Sequence, residues 1–267
     1  MQTEQGINAR AQYEADGFHI SPQPVVGLDV VSAAIEGMDA VRAGVYDTGR
    51  APEPSPWNPG DDPSKLCKIE LPQAANTAIM NLVSHPAIGQ MAAALTGARM
   101  IQVWWVQLLY KPPSDNLTGH NTVVGWHQDR MYWSAWESAS ELLTAWVALS
   151  DVTEEAGPMT FVRGSNHWDL GDSSDFYGQD RDGQRQKIKI PPGQRWEEVS
   201  AILPPGGASF HHNLTYHGSG PNTSSQPRRS FAVHLRTEKS EPANGKIEGL
   251  TRFIEDPSRC PVIFGQA

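Results

Sequence analysis

The chain has 267 residues and carries 30 Asp and Glu against 21 Lys and Arg, with no Lys/Arg-rich run. A formal charge of −9 argues against a nucleic-acid or anionic-membrane surface and favours small-molecule partners. Cys67 and Cys260 are too few for a disulfide framework, no apolar run approaches the ~20 residues that span a bilayer, and the polar start Met1-Gln2-Thr3-Glu4-Gln5 is no secretory signal, so a cytoplasmic protein is expected.

Along the chain, Asn8 to Asp16 reads as a helix and Gly17 to Ile20 as a short strand. From Leu28 to Arg42 the spacing of Val31, Ala34, Ile35, Met38 and Val41 predicts an amphipathic helix. The five prolines between Ala51 and Pro63 predict a long loop, a candidate lid. Leu71 to Leu95 returns to helical spacing, with Ile79, Leu82, Ile88, Met91 and Leu95 on the buried side. Strands are then expected over Met100–Tyr110, Thr122–Asp129, Leu142–Ser150, Pro158–Val162, Ile188–Ile190, Ala208–His212 and Ser230–Thr237. Helices first and strands after imply a mainly β, antiparallel sandwich or barrel with the N-terminal α-helices packed outside one sheet. No internal repeat or persuasive linker divides the chain, so residues 1–267 are expected to form one domain.

The chemistry concentrates in Gly125-Trp126-His127-Gln128-Asp129 and in a distant stretch from Tyr216 through His217 to Arg228. Residues two apart on a strand share a face, so His127 and Asp129 can reach one ion while Gln128 turns away. With His217 they make the two-His-one-carboxylate set of non-haem Fe(II) oxygenases. A buried polar pair is the other account of His127 and Asp129, and it requires a hydrogen-bond partner for each group. His167-Trp168-Asp169 repeats the spacing, but it follows the turn-like Arg163-Gly164-Ser165-Asn166 and reads as a surface loop. Arg228 offers a planar, two-pronged contact for the distal carboxylate of a keto diacid. Its alternative is a surface arginine, the expectation for Arg229.

Together these segments resemble the phytanoyl-CoA dioxygenase family of Fe(II)/2-oxoglutarate oxygenases. The resemblance rests on Asp16-Gly17-Phe18, Leu108 to Pro113, Trp126 to Asp129, Ala145 to Leu149, Gly157 to Ser165, and His217-Gly218-Ser219-Gly220 through Asn222 to Arg228, in order from about Tyr13 to Arg236. It implies a double-stranded β-helix (jelly-roll, cupin-like) fold, with Fe(II) held by His127, Asp129 and His217, and 2-oxoglutarate and O2 as co-substrates. By the same resemblance Arg228 and Ser219 hold the distal carboxylate, Trp146 stands near the co-substrate, and Lys68 and Gln107 match further co-substrate positions more loosely. Because Asp129 fills the position that halogenating relatives leave open to chloride, oxygenation or dehydrogenation is expected.

Trp104, Trp105, Trp126, Trp133 and Trp136 surround these motifs and suit an apolar or ring-containing substrate, although core packing accounts for some of them. The segment Arg130–Glu141 and the proline-rich loop are candidate substrate walls. No Lys/Arg cluster suggests a coenzyme A thioester. Two other classes remain: a cupin-like metal enzyme without 2-oxoglutarate, which has no need of Arg228, and a non-catalytic jelly-roll binding protein, which is expected to lack a ligand residue.

Overall fold

The computed structural model describes residues 4–114 and 122–266, leaving Met1, Gln2 and Thr3 of the polar start outside the described residues. Helix α1 (Glu4–Asp16) leads through Gly17, whose φ of +82° turns the chain, into strand β1 (Phe18–Ile20). Helix α2 (Leu28–Arg42) follows the predicted bounds and buries Val31, Ala34, Met38 and Val41, with Ile35 half-buried at the edge of that stripe. Strand β2 (Cys67–Glu70) was not legible as an element.

The helix expected over Leu71–Leu95 is instead two, α3 (Thr77–Val83) and α4 (Pro86–Thr96). Asn76 caps α3 by accepting a hydrogen bond from the Ile79 amide at 3.1 Å. Pro86 opens α4, and the extended His85 before it has the backbone that a residue preceding proline prefers. Apolar spacing continued across this break and concealed it.

The remaining strands are β3 (Ile101–Lys111), β4 (Val124–His127), β5 (Leu142–Ala148), β6 (Met159–Val162), β7 (Glu198–Ser200), β8 (Ala208–His212), β9 (His217–Ser219), β10 (Arg228–Thr237) and β11 (Val262–Phe264), with helix α5 (Arg181–Lys187) before β7. Two antiparallel sheets result. The larger runs β1-β8-β5-β10-β3-β11 with β2 also on β3, and the smaller runs β4-β9-β6-β7. The mainly β fold with N-terminal helices is thus as expected. Two strand expectations fail. Ile188–Ile190 forms no strand, since it follows α5 directly, buries Ile188 and leaves Ile190 exposed; the strand paired with β6 is β7. The strand predicted through Asp129 stops at His127, and Asp129 begins a 3-10 turn, Asp129–Tyr132.

Period-2 alternation in the larger sheet separates two interiors. On β5, Leu143, Ala145 and Val147 join Val31, Met38 and Ile79 of the helices in one core, while Trp146 and Ala148 join Met159 and Phe161 of the smaller sheet in another. Both faces are largely apolar, which is why β5 reads as a hydrophobic run interrupted only by Thr144. Each fully buried Val or Leu there contributes ~2 kcal/mol. The helices therefore cover the outer face and leave the space between the sheets for a site.

Candidate active site

His127 at the end of β4 lies opposite His217 at the start of β9, and their ring centroids are 4.1 Å apart. Asp129 faces both although it lies beyond the strand, because Gln128 between them keeps extended backbone (φ −109°, ψ 127°). Gln128 itself turns away. Its amide nitrogen donates to the Leu214 carbonyl at 2.8 Å, and its amide oxygen accepts from the Gly171 amide at 2.8 Å. The same-face expectation therefore holds for a reason one residue shorter than a full strand.

Three donor atoms converge. The Nε2 atoms of His127 and His217 lie 3.7 Å and 3.6 Å from Asp129 Oδ1. One ligand atom from each of the three residues lies within 4.8 Å of the others, a spacing that a metal ion can bridge. Both imidazoles are oriented through their other nitrogen: His127 Nδ1 is 2.8 Å from the Gly125 carbonyl and His217 Nδ1 is 2.9 Å from the Thr215 carbonyl. A carbonyl only accepts, so each Nδ1 carries the proton and each Nε2 presents a lone pair, the tautomer that a metal ligand needs. Burial pushes both imidazoles down from their ordinary range, against the pull of Asp129, and keeps them neutral.

Asp129 is held by its other oxygen. Thr144 Oγ1 donates to Oδ2 at 2.8 Å and His211 Nε2 lies 3.2 Å from the same atom, leaving Oδ1 to the two ligand imidazoles. Burial alone would push this carboxyl up. The His211 hydrogen bond opposes this, and the group lies well below the usual carboxylate range. Two lone pairs and one anion with a common focus fit a divalent iron; by chemistry and by spacing the residues suit the group.

A cavity of about 620 Å³ opens onto this centre, and all eight predicted site residues line it: Lys68, Gln107, His127, Asp129, Trp146, His217, Ser219 and Arg228. Arg228 begins β10 fully buried, so it is no surface arginine. One guanidinium nitrogen donates to the Gly157 carbonyl, another has no partner among the described residues, and the charged group lies 5.1 Å from the Trp146 ring. Gly157 has φ +65° and packs its α-carbon against the Gly220 carbonyl, an approach that a side chain would prevent. No carboxylate pairs with Arg228 among the described residues. Burial pushes the guanidinium down to about 9, still cationic at neutral pH, so the cavity contains an uncompensated charge fit for a carboxylate.

Ser219 is two positions beyond His217 on the same face of β9, and its hydroxyl lies 2.6 Å from Lys111 Nζ, a buried amine that also donates to the Gly220 carbonyl at 2.6 Å. Burial holds Lys111 well below the ordinary lysine range. Lys68 and Gln107 face a protein carboxylate instead: Glu70 Oε1 lies 3.3 Å from Lys68 Nζ and 3.4 Å from Gln107 Nε2. Of the five tryptophans expected around the site, Trp104, Trp105 and Trp133 line the cavity; Trp136 packs behind Trp104 in the same cluster, and Trp126 belongs to a separate one. Tyr132 and Trp133 of the Arg130–Glu141 segment, with Glu53, Pro54 and Pro56 of the proline-rich loop, supply walls as expected. His167 lies in an exposed turn, outside the metal-spaced group.

Sequence reasoning did not single out Thr144, His211, His234, Glu70, Lys111 or Phe176. A signal existed for two of them: Thr144 is one strand period before Trp146, and His234 is three periods after Arg228. Phe176 carried none. Its ring lies 5.1 Å from that of His127 because the 175–176 backbone is bonded to β4, through Gly125 N to the Phe176 carbonyl and Asp175 N to the Trp126 carbonyl.

Residues 13–230 match the family model for phytanoyl-CoA dioxygenase (PhyH). The chain belongs to the phytanoyl-CoA dioxygenase family. Among curated relatives of this family member, the dioxygenase cdmD of Talaromyces verruculosus is 28% identical over 109 residues, 41% of this chain and 30% of that protein. A probable alpha-ketoglutarate-dependent hypophosphite dioxygenase of Stutzerimonas stutzeri is 25% identical over 193 residues, 70% of this chain and 62% of that protein. The chain thus spans less than two thirds of the length of either. Among solved structures, the non-haem alpha ketoglutarate dependent epimerase SnoN of nogalamycin biosynthesis aligns with a TM-score of 0.68 at 23% identity, over 89% of this chain and 85% of that one. AviO1 of Streptomyces viridochromogenes aligns at 0.64 and 19% identity, over 91% and 99%. At these identities the likeness concerns the fold.

Proposed function

We propose that this family member is an Fe(II)- and 2-oxoglutarate-dependent oxygenase that oxidises, by hydroxylation, a small apolar or ring-containing molecule. The observation that carries this reading is one cavity lined by both the convergent His127, Asp129 and His217 donors and the guanidinium of Arg228, which no carboxylate pairs among the described residues. Membership of the family and the cofactor dependence named for the hypophosphite-dioxygenase relative and for SnoN support it. Iron bound with 2-oxoglutarate would supply oxidising chemistry that couples release of succinate and carbon dioxide to oxidation of a substrate C–H bond by O2.

This chain's residues do the rest. His127 and His217 present lone pairs fixed by backbone carbonyls, and Asp129 presents one oxygen while Thr144 and His211 hold the other. Arg228, which lies over the Trp146 ring, would hold the distal carboxylate of 2-oxoglutarate together with the Ser219 hydroxyl two strand positions from His217. Trp104, Trp105, Trp133, Tyr132 and Phe176 form apolar walls that exclude water and orient the substrate. A cupin-like enzyme without 2-oxoglutarate would leave the cation at Arg228 with no function. A coenzyme A thioester is not favoured, because Arg252, which lines the cavity, is engaged with Glu53. The proposal treats residues 1–267 as one domain, and the buried free thiols Cys67 and Cys260 favour a reducing, cytoplasmic setting. The test is a metabolite-library screen by mass spectrometry with the anaerobically iron-loaded protein: substrate-dependent succinate on admission of O2 is expected, and failure to bind 2-oxoglutarate rejects the assignment.

A further inference from the structure

His234 is buried on β10 and lines the cavity on the side away from Arg228 in sequence, opposite Trp105 in the β3–β10 register. The register shifts immediately after it: Leu235 pairs with Val103, so Trp104 is an additional residue on β3. This bulge breaks the alternation and brings both Trp104 and Trp105 to the cavity. The His234 ring lies 5.6 Å from the Trp104 ring and 4.9 Å from the Trp133 ring, centroid to centroid.

The protonation of His234 follows from counting hydrogens. Thr144 has one hydroxyl hydrogen and donates it to Asp129 Oδ2, because a carboxylate only accepts. His234 Nδ1 lies 2.8 Å from the same hydroxyl oxygen, which is left as an acceptor, so Nδ1 must carry the proton. Nε2 is then a bare lone pair, and it has no hydrogen-bond partner among the described residues. Burial pushes this imidazole down to about 4, which keeps it neutral at pH 7. A complementary deficit lies beside it: Trp104 Nε1, an N–H that can only donate, is buried without a partner among the described residues, on a residue that also lines the cavity.

We propose that His234 is a substrate-binding residue that selects a hydroxyl group on a flat, ring-containing molecule, the hydroxyl donating to Nε2 while the ring packs against Trp133. The proposal rests on the reading of this cavity as the substrate site and narrows its substrate class. A hydroxyl supplies the hydrogen that His234 Nε2 can accept. An ammonium would seek a carboxylate, but Glu70 is already bonded by Trp105 Nε1 at 2.6 Å and paired with Lys68, and Glu53 by two arginines.

The test uses 2-naphthol and its methyl ether, which share the ring and differ in the donor, titrated calorimetrically into the 267-residue protein. Wild type is expected to favour 2-naphthol by about tenfold. His234→Phe should abolish the preference, and His234→Gln, whose amide oxygen accepts, should retain part of it. Histidine 15N spectra of the wild type should show His234 protonated at Nδ1, with Nε2 shifting on 2-naphthol addition. Equal affinities, binding of neither probe, a preference that survives in His234→Phe, or an Nε2-protonated tautomer overturns the proposal. Anaerobic Fe(II) and 2-oxoglutarate binding, measured separately on wild type, reports on the oxygenase reading: its absence rejects that reading, while the naphthol contrast still decides the role of His234.

Discussion

The inner end and the mouth of the cavity treat charge in opposite ways. At the mouth, Glu53 is paired with Arg252 at 2.7 Å and Arg259 at 2.8 Å, and Glu70 accepts from Trp105 and Gln107 while pairing with Lys68. At the inner end, Arg228 has no carboxylate partner among the described residues, and the two ligand imidazoles present bare Nε2 atoms toward Asp129 Oδ1. Leaving a buried ionic group unpaired costs several kcal/mol. Paired charges mark architecture; an unpaired one marks a place for a ligand.

The largest expected effect is therefore at the inner end. Asp129→Ala should abolish stoichiometric Fe(II) binding, read by metal analysis after dialysis, whereas His167→Ala, in the other His-x-Asp stretch, should leave it unchanged. Full iron occupancy in Asp129→Ala would erase the contrast between the two ends. Next, Arg228→Ala should weaken 2-oxoglutarate binding by roughly a hundredfold or more, with a much smaller change in the KM for substrate; calorimetry against 2-oxoglutarate and steady-state kinetics measure the two. Smaller still, Thr144→Val removes one of the two groups holding Asp129 Oδ2 and should lower iron affinity by about tenfold, read by competition with a chelator. At the mouth, Glu53→Gln should cost only ~1 kcal/mol of stability, seen as a modest fall in Tm, with iron and 2-oxoglutarate affinities preserved. A large loss of 2-oxoglutarate affinity there would show that the mouth charges are functional too.

Much of this was legible in the residues. The stripe from Val31 to Val41 gave α2 its bounds, because apolar spacing at 3.6 is a local property. The chemistry of His127, Asp129, His217 and Arg228 could be read because each residue type has few other reasons to stand beside its neighbours. What failed did so for identifiable reasons. The break before α4 lay beneath continuous apolar spacing, and Ile188–Ile190 mimicked a strand while three polar or half-exposed residues, Glu198–Ser200, made the real one. Trp126 and Trp136 were indistinguishable from their cavity-lining neighbours, since composition does not say which face of an element an indole occupies.

The residues by themselves determined the secondary-structure class, the ligand types and the cation for a carboxylate, all of which depend on side-chain chemistry and short-range periodicity. Only the tertiary structure decided that these groups share one cavity, that Thr144 and His211 orient Asp129, and that a bulge at Trp104 sets His234 beside two indoles. Those facts depend on strand register between segments far apart in the chain, as where His234 lies opposite Trp105, 129 positions earlier. Register is set by the packing of whole faces, and no local stretch of sequence encodes it.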